Sequence, residues 1–281
     1  MTEAYSEVVS TARDYYNSDD AEMFYSTIWG GEDIHIGLYE GPDDTIAAAS
    51  RRSVESLTHH LEPLDASSRV LDMGSGYGGS ARYLARTYGC HVVGLNLSEV
   101  ENERARRLNQ QQGLADHIDI VDGSFEAVNA NDESFDAVCS QDAFLHSDER
   151  NRVVAEAARL LKPGGIFAFT DIMQADDCPD GVLDPILARI HLSSLASPSS
   201  YRAAAAAQGL EKAVFTDLTP QLVTHYGRVL AETEHGEAAL RGKISADYLQ
   251  HMKVGLSHWI KGGQLGHLVW GIFNFRKPAA S

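Results

Sequence analysis

Cysteine is scarce in this chain of 281 residues: Cys90, Cys139 and Cys178 lie far apart with no CxxC pair. Neither a disulfide framework nor a zinc site is indicated, no metal is expected, and the thiols read as buried and reduced. Long hydrophobic runs are missing too. No stretch reaches the ~20 apolar residues of a membrane span, and the polar start Met1-Thr-Glu-Ala-Tyr-Ser-Glu7 does not read as a signal peptide, which points to the cytoplasm. Basic residues are few: 23 Lys and Arg stand against 40 Asp and Glu, and the net charge of −17 argues against nucleic acid or a membrane surface as partner. Lysine is the rarer base, six residues against seventeen arginines. A salty cytoplasm that screens self-repulsion and a GC-rich genome that favours arginine codons both explain this, and both readings stay open. A small-molecule partner remains, with a chain long enough for one large domain and an appended subdomain, as a monomer or homodimer.

What is present is organised around Arg69-Val-Leu-Asp-Met-Gly-Ser-Gly-Tyr-Gly-Gly-Ser80, an apolar run that ends in a glycine-rich turn and opens a helix. Gly74, Gly76 and Gly78 suit a turn that needs positive φ and lets a ligand approach bare backbone amides. A strand-turn-helix junction is the context in which such glycines mean nucleotide. A pyrophosphate site disfavours the carboxylate of Asp72 two residues ahead of Gly74, whereas a cationic amino-acid end welcomes it.

Downstream, strands and helices alternate. Expected strands are Arg69–Asp72, His91–Asn96, Ile118–Val121, Phe135–Ser140 and Ile166–Asp171, with helices Ser80–Tyr88, Ser98–Gln112 and Asp148–Leu161 between them. Near-continuous apolar strands separated by amphipathic helices mean a parallel sheet covered on both faces, with ligands at the strands' carboxyl ends. The fold class is α/β, Rossmann-like, with a seven-stranded mostly parallel sheet. Residues 1–45, rich in aromatics such as Tyr5, Tyr15, Tyr16, Tyr25 and Trp29 and closing on the glycine-bearing loop Trp29-Gly-Gly-Glu-Asp-Ile-His-Ile-Gly37, form a lid. The core spans 46–172 and opens on a helix from Ile46 that Asp43 or Asp44 can cap. A helical cap with one short strand spans 173–263, and 264–281 returns as the last strand.

The acidic residue followed by GxGxG resembles the first motif of class I S-adenosylmethionine-dependent methyltransferases. That resemblance implies that Gly74 and Gly76 hold the methionine end of the cofactor, whose product is S-adenosylhomocysteine. It puts Asn96 and Leu97 at the ribose, although the family usually places Asp or Glu where Asn96 stands, and Asp122, Ser124 and Phe125 at the adenine. The stretch Ser140-Gln-Asp-Ala-Phe-Leu-His146 resembles amine methyltransferases that act on glycine derivatives and phosphoethanolamine. By that likeness Gln141 meets the cofactor, His146 orients the amine or takes its proton, and Asp142 fixes the histidine tautomer. Tyr16 latches onto His146, with Tyr15 as the alternative, and Tyr25, Trp29, His35 and Ile36 belong to the same lid. Trp29, His35 and Tyr16 would face substrate and Tyr25, Trp29 and Ile36 the cofactor. A carboxylate substrate demands a cation, for which Arg189 and Lys261 are candidates, with Tyr201 as a neutral donor. Over nearly the whole chain the likeness is to sarcosine/dimethylglycine N-methyltransferases, which make glycine betaine. A phosphoethanolamine-type enzyme is the alternative, and a nicotinamide-linked dehydrogenase is disfavoured by Asp72 and Asn96.

Overall fold

The computed structural model describes residues 7–279 apart from Gly30, and of Glu7 and Val8 the backbone only. Tyr5 and Gly30 of the expected lid therefore lie outside the described residues. The amino-terminal segment forms α1 (Glu7–Tyr16) and α2 (Asp19–Ile28), then an irregular stretch, then α3 (Ile46–His59). Ser18 starts α2 by accepting from Ala21 N, and Thr45, not Asp43 or Asp44, starts α3 by accepting from Ala48 N. Asp44 is occupied instead by Arg52 and by the amides of Glu40 and Gly41.

The alternating part follows as β1 (Arg69–Met73), α4 (Gly79–Tyr88), β2 (His91–Asn96), α5 (Glu99–Gln111), β3 (Ile118–Asp122), β4 (Phe135–Gln141), α6 (Arg150–Leu160) and β5 (Leu161–Gln174). Beyond it come α7 (Asp184–Arg189), α8 (Pro198–Ala207), β6 (Glu211–Asp217), α9 (Thr219–Leu240), α10 (Ala246–Gln264) and β7 (Leu268–Arg276). The sheet order is β3-β2-β1-β4-β5-β7-β6, parallel from β3 through β5 and antiparallel where β7 meets β5 and β6. This is the expected seven-stranded, mostly parallel Rossmann-like sheet. The period-two alternation of strand side chains sorts neighbours onto opposite faces. Leu71, Val138, Phe167, Phe169, Phe273 and Phe275 pack on one face, and Val70, Ala137, Ile166, Ala168 and Ile272 on the other.

Tyr201 belongs to the first of these faces and not to a substrate site. It is buried on α8 against Phe169 and Phe273, and its hydroxyl donates to Asp171 Oδ2 at 2.6 Å. Asp171 Oδ1 in turn accepts from Leu145 N at 3.0 Å, and burial pushes the Asp171 carboxyl up to about 7. Tyr201 thus props the turn after β4 from behind. Replacing it by Phe removes one donor from a buried carboxyl, so Y201F is expected to lose about 1–3 kcal/mol in urea denaturation. An unchanged midpoint would contradict the network.

Candidate active site

The carboxyl ends of β1 to β4 form one rim, as a parallel sheet dictates. After β1 the backbone turns through Gly74 at φ 82° and Gly76 at φ 49°, and Gly74 N donates to Leu95 O at 2.7 Å. A Cβ on Gly74 would sit 2.4 Å from that of Ala143, so the turn has no space for a side chain. Beneath it Asp72 Oδ2 and Ser75 Oγ are buried without a hydrogen-bond partner among the described residues. Burial pushes the Asp72 carboxyl up to about 7. Orphaned acceptors of this kind, beneath a turn with no side chain at Gly74 and Gly76, fit a cationic amino-acid group bound there.

Two cavities open on the rim. The smaller is a crevice of about 80 Å³, lined by Gly74, Gly76, Asn96, Leu97, Phe125, Gln141 and His35. It has room for a few waters, and Ala12 and Tyr16 of α1 are part of its wall. The larger holds about 980 Å³ between α1 and α2 on one side and α7, α9 and α10 on the other. Tyr15, Tyr25, Trp29, Ile36, Tyr226, Tyr248 and Trp259 wall it, and among the described residues Arg189 is the one Lys or Arg in its lining. Ala12, Tyr16, Ile34, Asp142 and His146 line both, so the cavities meet there.

At that junction Tyr16 Oη lies 3.0 Å from His146 Nε2, with the rings edge to face at 5.5 Å. Tyr15 points elsewhere, its hydroxyl 2.9 Å from that of Tyr248. Burial pushes the His146 imidazole down to about 4 and holds the Tyr16 phenol well above its usual value, so both groups are neutral at pH 7. Asp142 does not fix the His146 tautomer. Its Oδ1 accepts from Thr170 Oγ1 at 2.8 Å and Trp270 Nε1 at 2.7 Å, and its Oδ2 from Ile36 N at 2.8 Å. The carboxylate leaves β4 at φ 52° and turns towards the sheet and the lid loop, away from the 3₁₀ turn Phe144–His146.

Other expected residues fall in different places. Tyr25, Trp29 and Ile36 line the larger cavity only, and His35 only the crevice. His35 is buried, which pushes its imidazole down to about 3. Asp122 stands outside the crevice lining, its carboxylate held by Asn102 Nδ2 at 2.7 Å and Arg106 Nη2 at 2.8 Å. Ser124 also lies outside it and accepts from Glu126 N. Lys261 is corrected outright: it is on the exposed face of α10 and lines neither cavity. Gln141 lines the crevice with its amide tied to Ser80 and Ser53. Sequence reasoning missed Glu101, which is buried in the crevice wall and accepts from Asn96 Nδ2 at 2.9 Å. The clue was its place early in the helix after Asn96, an acid beside the position where the family usually carries one.

This sheet, with its glycine turn after β1 and its cavity at the strand ends, is that of a class I S-adenosylmethionine-dependent methyltransferase, and a family profile described as a methyltransferase domain matches residues 71–169. A sarcosine/dimethylglycine N-methyltransferase of Halorhodospira halochloris is 55% identical over 96% of this chain and 97% of its own length. Another, from Aphanothece halophytica, is 51% identical over 99% and 100%. A solved structure of a candidate sarcosine dimethylglycine methyltransferase from Galdieria sulphuraria superposes with a TM-score of 0.90 at 42% identity, covering 95% of this chain and all of that one (100%). The chain belongs to the sarcosine/dimethylglycine N-methyltransferase family.

Glu101 supplies a test of the crevice. Burial pushes its carboxyl up to about 7, so above that pH the carboxylate can accept a charge-assisted hydrogen bond from a ligand hydroxyl, which contributes ~1.5–3 kcal/mol. Glu101→Gln is expected to raise the Kd for S-adenosylhomocysteine by roughly 10-fold or more in calorimetric titration. Unchanged affinity would remove Glu101 from the cofactor site.

Proposed function

We propose that this chain transfers a methyl group from S-adenosylmethionine to the nitrogen of sarcosine and N,N-dimethylglycine, ending at glycine betaine. The observation that carries this is the junction of the two cavities at Tyr16 and His146, with Arg189 as the one Lys or Arg among the described residues lining the larger one. When bound, the cofactor supplies an electrophilic methyl on a sulfonium. Gly74, Gly76 and Gln141 would hold its methionine end, Asn96, Leu97 and Glu101 its ribose, and Phe125 its adenine, with Asp122 and Ser124 nearby in the chain but outside the crevice lining.

Transfer to an amine is an in-line displacement, so the protein's work is to aim the nitrogen lone pair at the methyl. His146 and Tyr16, both neutral, can accept an amine N–H such as that of sarcosine, and beside dimethylglycine, which has none once deprotonated, they leave the lone pair free and place no competing positive charge. Arg189 pairs with the substrate carboxylate. The quaternary product has no proton to give a hydrogen-bond acceptor, and the faces of Tyr25 and Trp29, 4.9 Å apart, suit its charge. A phosphate-bearing amine would call for several cations, and among the described residues this lining offers one Lys or Arg, Arg189, beside the histidines His191 and His251.

Homocysteine-linked assays with glycine, sarcosine, dimethylglycine and phosphoethanolamine test the substrate, and inert dimethylglycine beside another active amine would sink it. Arg189→Ala is expected to raise the KM for dimethylglycine roughly 10- to 100-fold while S-adenosylhomocysteine affinity holds. An unchanged KM would remove Arg189 from the site. Because His146 stays neutral down to about pH 4, kcat/KM is expected to rise with pH as the substrate amine deprotonates, with no inflection near 6.5. An inflection there that disappears in His146→Gln would show a charged imidazole and contradict the mechanism.

A further inference from the structure

Resting on the reading of Arg189 as the carboxylate partner, we infer that Gly255 is the specificity-determining position of this site. Its bare Cα forms the seat on which the Arg189 guanidinium lies, and so selects amines that carry a carboxylate. Gly255 is buried in the middle of α10, where glycine costs about 1 kcal/mol relative to Ala. Its backbone φ is not in the positive region, so nothing conformational demands glycine. Space does. A Cβ at 255 would stand 2.3 Å from Arg189 Nε, 2.4 Å from Cζ and 2.7 Å from Nη1. The guanidinium therefore rests directly on the helix backbone, and any side chain at 255 displaces it.

The seat leaves the cation unsatisfied. Arg189 Nη2 lies 2.8 Å from Met252 Sδ, a weak acceptor, and no carboxylate pairs with Arg189 among the described residues. A half-buried guanidinium on a cavity wall, held from behind by helix backbone and a thioether, keeps donors free for an incoming anion. Met252 and Gly255 lie three apart on α10, one turn of one face. Together they fix how far into the cavity the cation reaches, and the amine of a short amino acid is then placed relative to His146.

The test compares G255A, R189A and G255A/R189A with the parent enzyme. G255A is expected to raise the KM for dimethylglycine roughly 10- to 100-fold, with kcat at saturation and S-adenosylhomocysteine affinity retained. It is also expected to narrow the preference in kcat/KM for dimethylglycine over N,N-dimethylethanolamine, which has no carboxylate. A general packing defect would move kcat, cofactor affinity and both amines alike. An unchanged KM in G255A beside a raised KM in R189A overturns the seat and leaves the carboxylate reading intact. An unchanged KM in R189A overturns that reading itself. Should G255A lose its thermal transition, G255A/R189A removes the clash: recovered folding supports the seat, and continued unfolding overturns it.

Discussion

The site depends on the buried carboxylate of Asp142, which collects donors from three distant parts of the chain. Thr170 on β5, Trp270 on β7 and the amide of Ile36 in the lid loop all donate to it within 2.8 Å. Burial raises its pKa and these three donors oppose that, so an acid at the end of β4 is held where hydrogen bonds substitute for water. The donors also stabilise its φ of 52°, which an aspartate adopts only when its surroundings fix it. By holding Ile36 to the sheet, Asp142 fixes the loop that follows Trp29, and with it one wall of the larger cavity.

Around this anchor the charges are few. His35 and His146 are driven neutral by burial, and the phenols of Tyr16 and Tyr25 are held well above their usual value by the same cause. In a low-dielectric cavity each remaining charge acts strongly. Arg189 is then the dominant fixed charge of the lining beside Asp142, whose own is spread over three hydrogen bonds, and Asp19 and Asp20 at the lid. Under the proposed function, an ammonium-carboxylate substrate would meet aromatic faces at one end and a guanidinium at the other.

Much of this was legible in the residues. The alternation of apolar runs and amphipathic stretches specifies the parallel sheet, because a strand covered on both faces has no polar side to show. Gly74 and Gly76 mark the turn because both take a positive φ, and at Gly74 no Cβ fits. Side-chain direction was harder to read. Asp142 and His146, four apart, share a face only on a regular helix, and the positive φ at Asp142 sends them to different partners. Tyr15 and Tyr16 differ by about 100° around α1, and only the positions of His146 and Tyr248 decide which meets which. Lys261, Tyr201 and Glu101 share one cause: a polar side chain on a helix reads alike whether it faces solvent, core or ligand. The packing of α8, α10 and α5 decides, and no local pattern carries it.

The central claim is that the methyl passes where the two cavities meet. The most direct measurement is a crystal structure with S-adenosylhomocysteine and dimethylglycine bound together. The account predicts the amine beside Tyr16 Oη and His146 Nε2, its carboxylate on Arg189, and the nitrogen and sulfur separated by little more than the space of one methyl. An amine bound away from Tyr16 and His146, with its carboxylate on a different cation, would contradict it.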